Sequence, residues 1–219
     1  MTPSIDWNEI DTVLLDMDGT LLDLNFDNYF WQELLPKHWG EQQGISAEKA
    51  FQQLKDWYEK EKGTLPWYCL DYWTERLGFD VFSLNSQAAH LIQKRPHAEA
   101  FLKRLADGDF QVVMVTNAHQ DLVEFKMQKT GIDIYFDHII SSHQIGHAKE
   151  EQDFWHQLLE HIHFKKDRTL FIDDNLSVLR SAAKYGIQHI FAIAKPDSQV
   201  EAQDTMEFQA IHSFADLLN

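Results

Sequence analysis

Two acidic residues two positions apart, Asp16 and Asp18, directly follow the apolar run Thr12-Val13-Leu14-Leu15. Such a pair can divide the work of moving a phosphoryl group. One carboxylate attacks phosphorus, and the other, just past the end of the strand, gives and takes a proton. Gly19 behind them lets the backbone approach a phosphate closely. By itself, Asp16-Met17-Asp18-Gly19-Thr20 can equally be a turn followed by a helix cap.

Three further stretches favour the chemical reading. Val112-Val113-Met114-Val115 ends in Thr116-Asn117. The Thr116 hydroxyl can donate to a phosphate oxygen and the Asn117 amide can orient a substrate, although either could simply cap the next helix. Lys149, in Gly146-His147-Ala148-Lys149-Glu150, is either a solvated charge or the cation that offsets nearby carboxylates and stabilises phosphoryl oxygens. Leu170-Phe171-Ile172-Asp173-Asp174-Asn175 places adjacent acids after another apolar run, a natural site for a hard cation, with helix capping by Asp174 or Asn175 as the plain alternative. If Asp16, Asp18, Asp173 and Asp174 converge, their repulsion calls for a cation, and an oxygen-only donor set suits Mg²⁺.

These residues need elements that bring them together. Thr12–Leu15, Gln111–Val115, Asp137–Ser141, Thr169–Ile172 and His189–Ala194 read as buried strands. Helical patterns lie between them. Phe101, Leu102 and Leu105 share one face; Leu122, Phe125, Lys126 and Lys129 fit another helix; Phe154, Trp155, Leu158, Leu159 and Ile162 form an amphipathic stripe; Leu176, Leu179, Ala182 and Ala183 give a fourth. Alternating strands and helices imply an α/β fold, a parallel sheet covered on both faces.

The alternation is interrupted from about Leu24 to Arg95. This stretch shows no convincing strand and reads as three or four helices, with breaks near Pro36, Gly44, Gly63–Pro66 and Gly78. Residues 24–73 hold twelve Phe, Tyr and Trp residues, enough for the insert to bury a small core of its own. The expected division is therefore an α/β catalytic core from residues 1–23 and 96–219, with a helical cap at 24–95.

Composition narrows the function classes. With 219 residues, 44% hydrophobic and 25% charged, the chain fits a folded protein with one full domain and a modest second unit. The net charge of −16 repels nucleic-acid polymers and acidic membrane surfaces but not a small phosphorylated molecule held by a cation and a lysine. No apolar run approaches the roughly 20 residues of a membrane span, and Met1–Asp11 lacks the pattern of a signal peptide. The single cysteine, Cys69, fits a reducing, cytoplasmic setting and, in the aromatic stretch Trp67-Tyr68-Cys69-Leu70, a packing role. The twelve histidines show no zinc-site spacing; His119, two residues after Asn117, is the one that could approach the site.

The four motifs in this order resemble the haloacid dehalogenase superfamily. The resemblance implies a Rossmann-like core with strand order 5-4-1-2-3, so that Asp16, Thr116 and the Asp173-Asp174 pair meet at one end of the sheet. It also implies a helical C1-type cap inserted after the first strand, and Mg²⁺ bound by Asp16, the backbone carbonyl of Asp18, Asp173 and Asp174. A proline often stands beside the family's lysine, whereas His147-Ala148 and Glu150 flank Lys149 here. Asp18 argues against dehalogenation, which needs no such proton donor.

Asp11–Leu24, Phe26–Trp31, Trp67–Trp73, Thr116–His119 and Thr169–Asp174 further resemble the bacterial GMP/IMP nucleotidases of this superfamily. That similarity implies purine 5′-monophosphates as substrates. Trp67, Tyr68, Tyr72 and Trp73 become candidates for contacting the base, with packing inside the cap as the alternative. A sugar-phosphate or phosphoglycolate-type phosphatase and a phosphomutase share the same acids. A binding module that keeps the fold would usually have lost one of them.

Overall fold

A computed structural model describes residues 5–218; residues 1–4, part of the stretch read for a signal peptide, and residue 219 lie outside the described residues. Among the described residues the sheet has six parallel strands in the order β3-β2-β1-β4-β5-β6. These are β1 (Thr12–Leu15), β2 (Gln111–Thr116), β3 (His138–Ser141), β4 (Thr169–Asp173), β5 (His189–Ile193) and β6 (Gln209–Ile211). The first five keep the order implied by the sequence resemblance, and β6 extends the β5 edge. β6 escapes a pattern reading because it has three residues, of which only Ile211 is buried.

Strand alternation sorts the core into two layers. Val13, Leu15, Val112, Met114, Leu170 and Ile172 point to one face, where α7 (Ala98–Ala106) and α8 (Gln120–Thr130) pack. Leu14, Val113, Val115 and Phe171 point to the other, against α10 (Gln152–His161) and α11 (Leu176–Tyr185). Burial on both faces is why these strands read as continuous apolar runs.

Register then fixes the site. Leu15 pairs with Met114 on one side and Ile172 on the other, so β1, β2 and β4 end side by side. Parallel strands present the same end together, and the residues just past it share the crevice where open α/β sheets hold ligands.

Between β1 and α7 the chain is helical: α1 (Asn25–Tyr29), a π-helical turn (Phe30–Leu34), α2 (Leu35–Gln43), α3 (Ala47–Glu61), α4 (Leu65–Tyr68), α5 (Leu70–Leu77) and α6 (Val81–Ser86). Phe30, Trp39, Leu54, Trp73 and Leu84 form its own core, joined by Leu122 from α8. No break occurs at Pro36, contrary to the sequence expectation. Proline cannot donate to the preceding turn and crowds its carbonyl. The wider π turn, in which the Leu35 N–H reaches Phe30 O, opens the helix just before Pro36 and lets it continue. In the core, the short helix α9 (Ser142–Ile145) follows β3 directly. Among the described residues, no helix is long and apolar enough to cross a membrane.

Candidate active site

Asp16 stands immediately after β1, and its N–H bonds to Ile172 O at 3.0 Å, so β4 sets its height. The chain then turns sharply: the Leu21 and Leu22 N–H groups bond back to Met17 O at 2.9 and 2.8 Å. Gly19 makes the turn possible with φ +80°, and a Cβ at that position would lie 2.6 Å from the Asp174 carboxyl carbon. Any other residue would thus face both backbone strain and a collision with a proposed metal ligand.

Asp16, Asp173 and Asp174 each present a carboxylate oxygen within 4.8 Å of the others. Lys149, wholly buried, places its ammonium 2.6 Å from Asp16 Oδ1, 2.7 Å from Asp173 Oδ2 and 3.0 Å from Val115 O. Burial pushes the Asp16 carboxyl up to about 7, with Asp173's charge adding to the rise and Lys149 opposing it. Burial and the charges of Asp173 and Asp16 likewise hold the Asp174 carboxyl well above its usual range. The same carboxylates keep Lys149 firmly protonated against the cost of its own burial. One ammonium cannot balance three carboxylates in this space. The oxygen-only donors and the excess negative charge fit a hard divalent cation.

Thr116 closes β2 beside Asp16. Its Oγ1 accepts the Ala118 N–H at 3.1 Å, which leaves its hydroxyl proton free to donate into the cavity. The Asn117 amide is engaged on both sides: Oδ1 accepts the Lys149 N–H at 2.9 Å and Nδ2 donates to Glu150 Oε2 at 3.0 Å. Asn117 therefore holds the loop that carries Lys149. Glu150, noted in the sequence only as a departure beside Lys149, is a hub between core and insert, accepting from the Tyr68 hydroxyl at 2.7 Å and from Asn175 Nδ2 at 3.3 Å.

Asp18 is not one of those three carboxylates and has a different cation for a partner. Its Oδ1 accepts from Lys126 Nζ at 2.7 Å, and the same ammonium donates to both carboxylate oxygens of Asp27 at 2.9 Å. Neither partner was picked out by sequence reasoning. A signal existed for Lys126: it shares the buried face of α8 with Leu122, Val123 and Met127, where a lysine requires a partner. Asp27 carried no comparable mark.

A cavity of about 540 Å³ opens over these groups, within the range of small-molecule sites. Asp16, Asp18, Thr116, Asn117, Lys149, Asp173 and Asp174 line its floor; Trp31, Phe51, Tyr58, Trp67 and Tyr68 line its insert side, with Lys55 and Glu59 of α3 and Lys62 just past its end. Trp31 and Trp67 lie nearly parallel, 6.0 Å apart. Of the four aromatics singled out in the sequence, Trp67 and Tyr68 border this cavity. Trp73 is buried in the insert core, with its indole N–H on Trp67 O at 2.9 Å. Tyr72 points to Glu61, 2.6 Å from its hydroxyl. His119 lies outside the cavity lining, its Nε2 3.6 Å from Asp71 and its ring 4.9 Å from that of His143. Cys69 lies beside Asp71 and His119.

The geometry agrees with three comparisons. The model of the haloacid dehalogenase-like hydrolases matches residues 10–186. The GMP/IMP nucleotidase YrfG of Escherichia coli K12 is 39% identical over 215 residues, covering 98% of this chain and 97% of that protein. A haloacid dehalogenase phosphatase from Thermococcus onnurineus superposes with a TM-score of 0.78 at 20% identity, covering 95% and 96% of the two chains. A hydrolase of the same superfamily from Geobacter sulfurreducens gives 0.60 at 18% identity, covering 96% and 97%; these two likenesses concern the fold alone. The sheet, the converging motifs and the length of the matched sequence agree: the chain belongs to the haloacid dehalogenase-like hydrolase family and is a phosphoric monoester hydrolase.

Proposed function

We propose that this enzyme hydrolyses purine nucleoside 5′-monophosphates, GMP and IMP, through a phosphoryl group carried transiently on Asp16, with Mg²⁺ as cofactor. The observation that carries the reading is the buried Asp16 carboxylate, held 2.6 Å from Lys149 at the floor of a cavity whose far side is aromatic. The likeness to a GMP/IMP nucleotidase along nearly the whole chain supports the choice of substrate. Residues 24–95 act as the cap over a core formed by 1–23 and 96–219.

Asp16 attacks phosphorus, forming an oxygen–phosphorus bond as the bond to the nucleoside oxygen breaks. Asp18 delivers a proton to that oxygen. Asp18, now ionised, takes a proton from water as the water attacks phosphorus, releasing phosphate and restoring Asp16. Lys149 and the Thr116 hydroxyl hold the phosphoryl oxygens, where positioning and charge stabilisation supply most of the acceleration. Asp16, Asp173 and Asp174, with the Asp18 carbonyl, would hold Mg²⁺. When bound, the cation neutralises phosphoryl oxygens and orients them for attack. Trp31 and Trp67 offer the base flat apolar surface, and the insert excludes bulk water.

The test is a panel of phosphate monoesters with Mg²⁺: GMP, IMP, AMP, pyrimidine nucleotides, sugar phosphates and phosphoglycolate. GMP and IMP should turn over fastest, with free phosphate released, and EDTA should stop the reaction until Mg²⁺ is restored. Equal rates on all, or preference for a sugar phosphate, would overturn the nucleotide assignment. Phosphate moved between positions of a sugar would indicate a mutase.

A further inference from the structure

Lys126 is 1% exposed, yet it belongs to none of the four motifs. Burying an ammonium is costly unless its donors are satisfied. Here all three are: one bond goes to Asp18 Oδ1 at 2.7 Å and two go to the Asp27 oxygens at 2.9 Å. The Phe26 ring lies 4.6 Å from the same nitrogen and closes its apolar side. Lys126 comes from core helix α8 and Asp27 from α1, the first helix of the insert. The bridge therefore runs from the insert, through a core lysine, to the residue assigned proton transfer. Asp18 is held by a single oxygen; the other accepts no bond from the described residues and belongs to a carboxylate that lines the cavity.

We propose that Lys126 is a positioning residue for proton transfer: it fixes the Asp18 carboxyl by Oδ1 and leaves the second oxygen for the leaving group, while Asp27 fixes Lys126 to the insert. This rests on the reading of Asp18 as the proton donor. Asp18 must change partners during the reaction, first the leaving oxygen and then water. A carboxyl on a flexible side chain would spend much of its time turned elsewhere. The salt bridge removes that freedom, and its second arm makes the geometry depend on α1 being seated over the core.

The experiment measures single-turnover release of leaving groups of graded basicity, from p-nitrophenyl phosphate to GMP, by the Mg²⁺-loaded enzyme. Wild type is compared with Asp18→Asn, Lys126→Met, Lys126→Arg and Asp27→Asn, and thermal melting is recorded for each. General acid help is worth about a hundredfold or more on a poor leaving group. Lys126→Met should slow GMP by about that factor with KM little changed, and p-nitrophenyl phosphate far less. Lys126→Arg should restore most of the loss, and Asp27→Asn should show a milder version of the same selectivity. Loss of melting temperature with every substrate slowed equally would mean that Lys126 only packs, and would overturn the proposal. Should Lys126→Met fail to fold, Lys126→Arg and Asp27→Asn decide it: unchanged dependence on the leaving group in both would overturn it. If Asp18→Asn shows selectivity and the Lys126 and Asp27 variants do not, the positioning role alone fails. If Asp18→Asn shows none, the role of Asp18 fails and the proposal with it.

Discussion

The ammonium of Lys149 lies 2.6 Å from Asp16 Oδ1, at a depth where both groups are almost wholly out of water. It neutralises part of the charge on the carboxylate proposed as the nucleophile and, in the proposed mechanism, meets the phosphoryl oxygens. Breaking a buried ion pair by removing one partner costs about 3–5 kcal/mol, because the other charge is left unpaired. Lys149→Met should therefore melt earlier than wild type in metal-free buffer, and Mg²⁺ should return part of the loss. Its kcat should fall about 10²- to 10³-fold, the usual cost of deleting one stabiliser of transition-state charge. Circular dichroism melts and steady-state assays read both effects; an unchanged kcat would show that Lys149 only balances charge.

Gly19 tests the metal site without removing a carboxylate. Its φ of +80° and the 2.6 Å separation between a built Cβ and the Asp174 carboxyl mean that Gly19→Ala must displace Asp174 or the turn. Misplacing a ligand's support typically weakens metal binding about 10- to 100-fold. A Mg²⁺ titration of activity should shift to higher concentration by that factor. An unshifted titration would place Asp174 outside the metal's ligands.

Trp67 and Trp73 separate base contact from packing. Trp67 borders the cavity and Trp73 lies in the insert core. Trp67→Ala should weaken GMP and IMP hydrolysis by about 1–3 kcal/mol, the worth of one base–aromatic stack, and barely affect an aryl phosphate. Trp73→Ala should cost about 3–5 kcal/mol of stability and impair all substrates alike. Identical patterns in the two variants would put the base elsewhere.

Asp27 carries the pH prediction. Its carboxyl is pushed up to about 7, chiefly by burial and then by Asp18's charge, with Lys126 opposing. Lys126 itself is raised, held protonated by the same two carboxylates against the cost of its burial. The two shifts agree physically, since one ammonium serves two acids and the excess negative charge falls on Asp27. A carboxyl raised in the folded state favours folding below its unfolded value of about 4, and that contribution is lost as pH rises through about 7. Asp27→Asn does not titrate. From pH 5 to pH 8 the melting temperature of wild type should therefore fall relative to that of Asp27→Asn. A difference that stays constant with pH would contradict this.

Much of the arrangement was legible in the residues. Strands buried on both faces gave continuous apolar runs, and their polar ends, Asp16, Thr116 and Asp173, stand where adjacent parallel strands finish together. What escaped depends on contacts between distant segments. Lys126 and Asp27 are 99 residues apart and ordinary in type, so only the fold shows that they share a bond. Glu150 looked like a departure from the family pattern, and its role is visible only once Tyr68, Asn117 and Asn175 surround it. At Pro36 a local rule was overridden, because a π turn just upstream absorbed the proline. Among the aromatics, composition could indicate a small core but not which rings face inward and which border the cavity.

The central claim is that Asp16 carries the phosphoryl group and Asp18 moves the protons. Asp18→Asn, mixed with p-nitrophenyl phosphate and Mg²⁺ and quenched in acid on the millisecond scale, tests it most directly. A burst of p-nitrophenol should appear, about one per enzyme, with a hydroxylamine-labile phosphate that peptide mapping locates on Asp16. Release should then slow, since the water attack lacks its base. Asp16→Asn should give no burst, no protein-bound phosphate and turnover reduced by several orders of magnitude. Near-normal hydrolysis by Asp16→Asn, or phosphate mapped to any other residue, would contradict the claim.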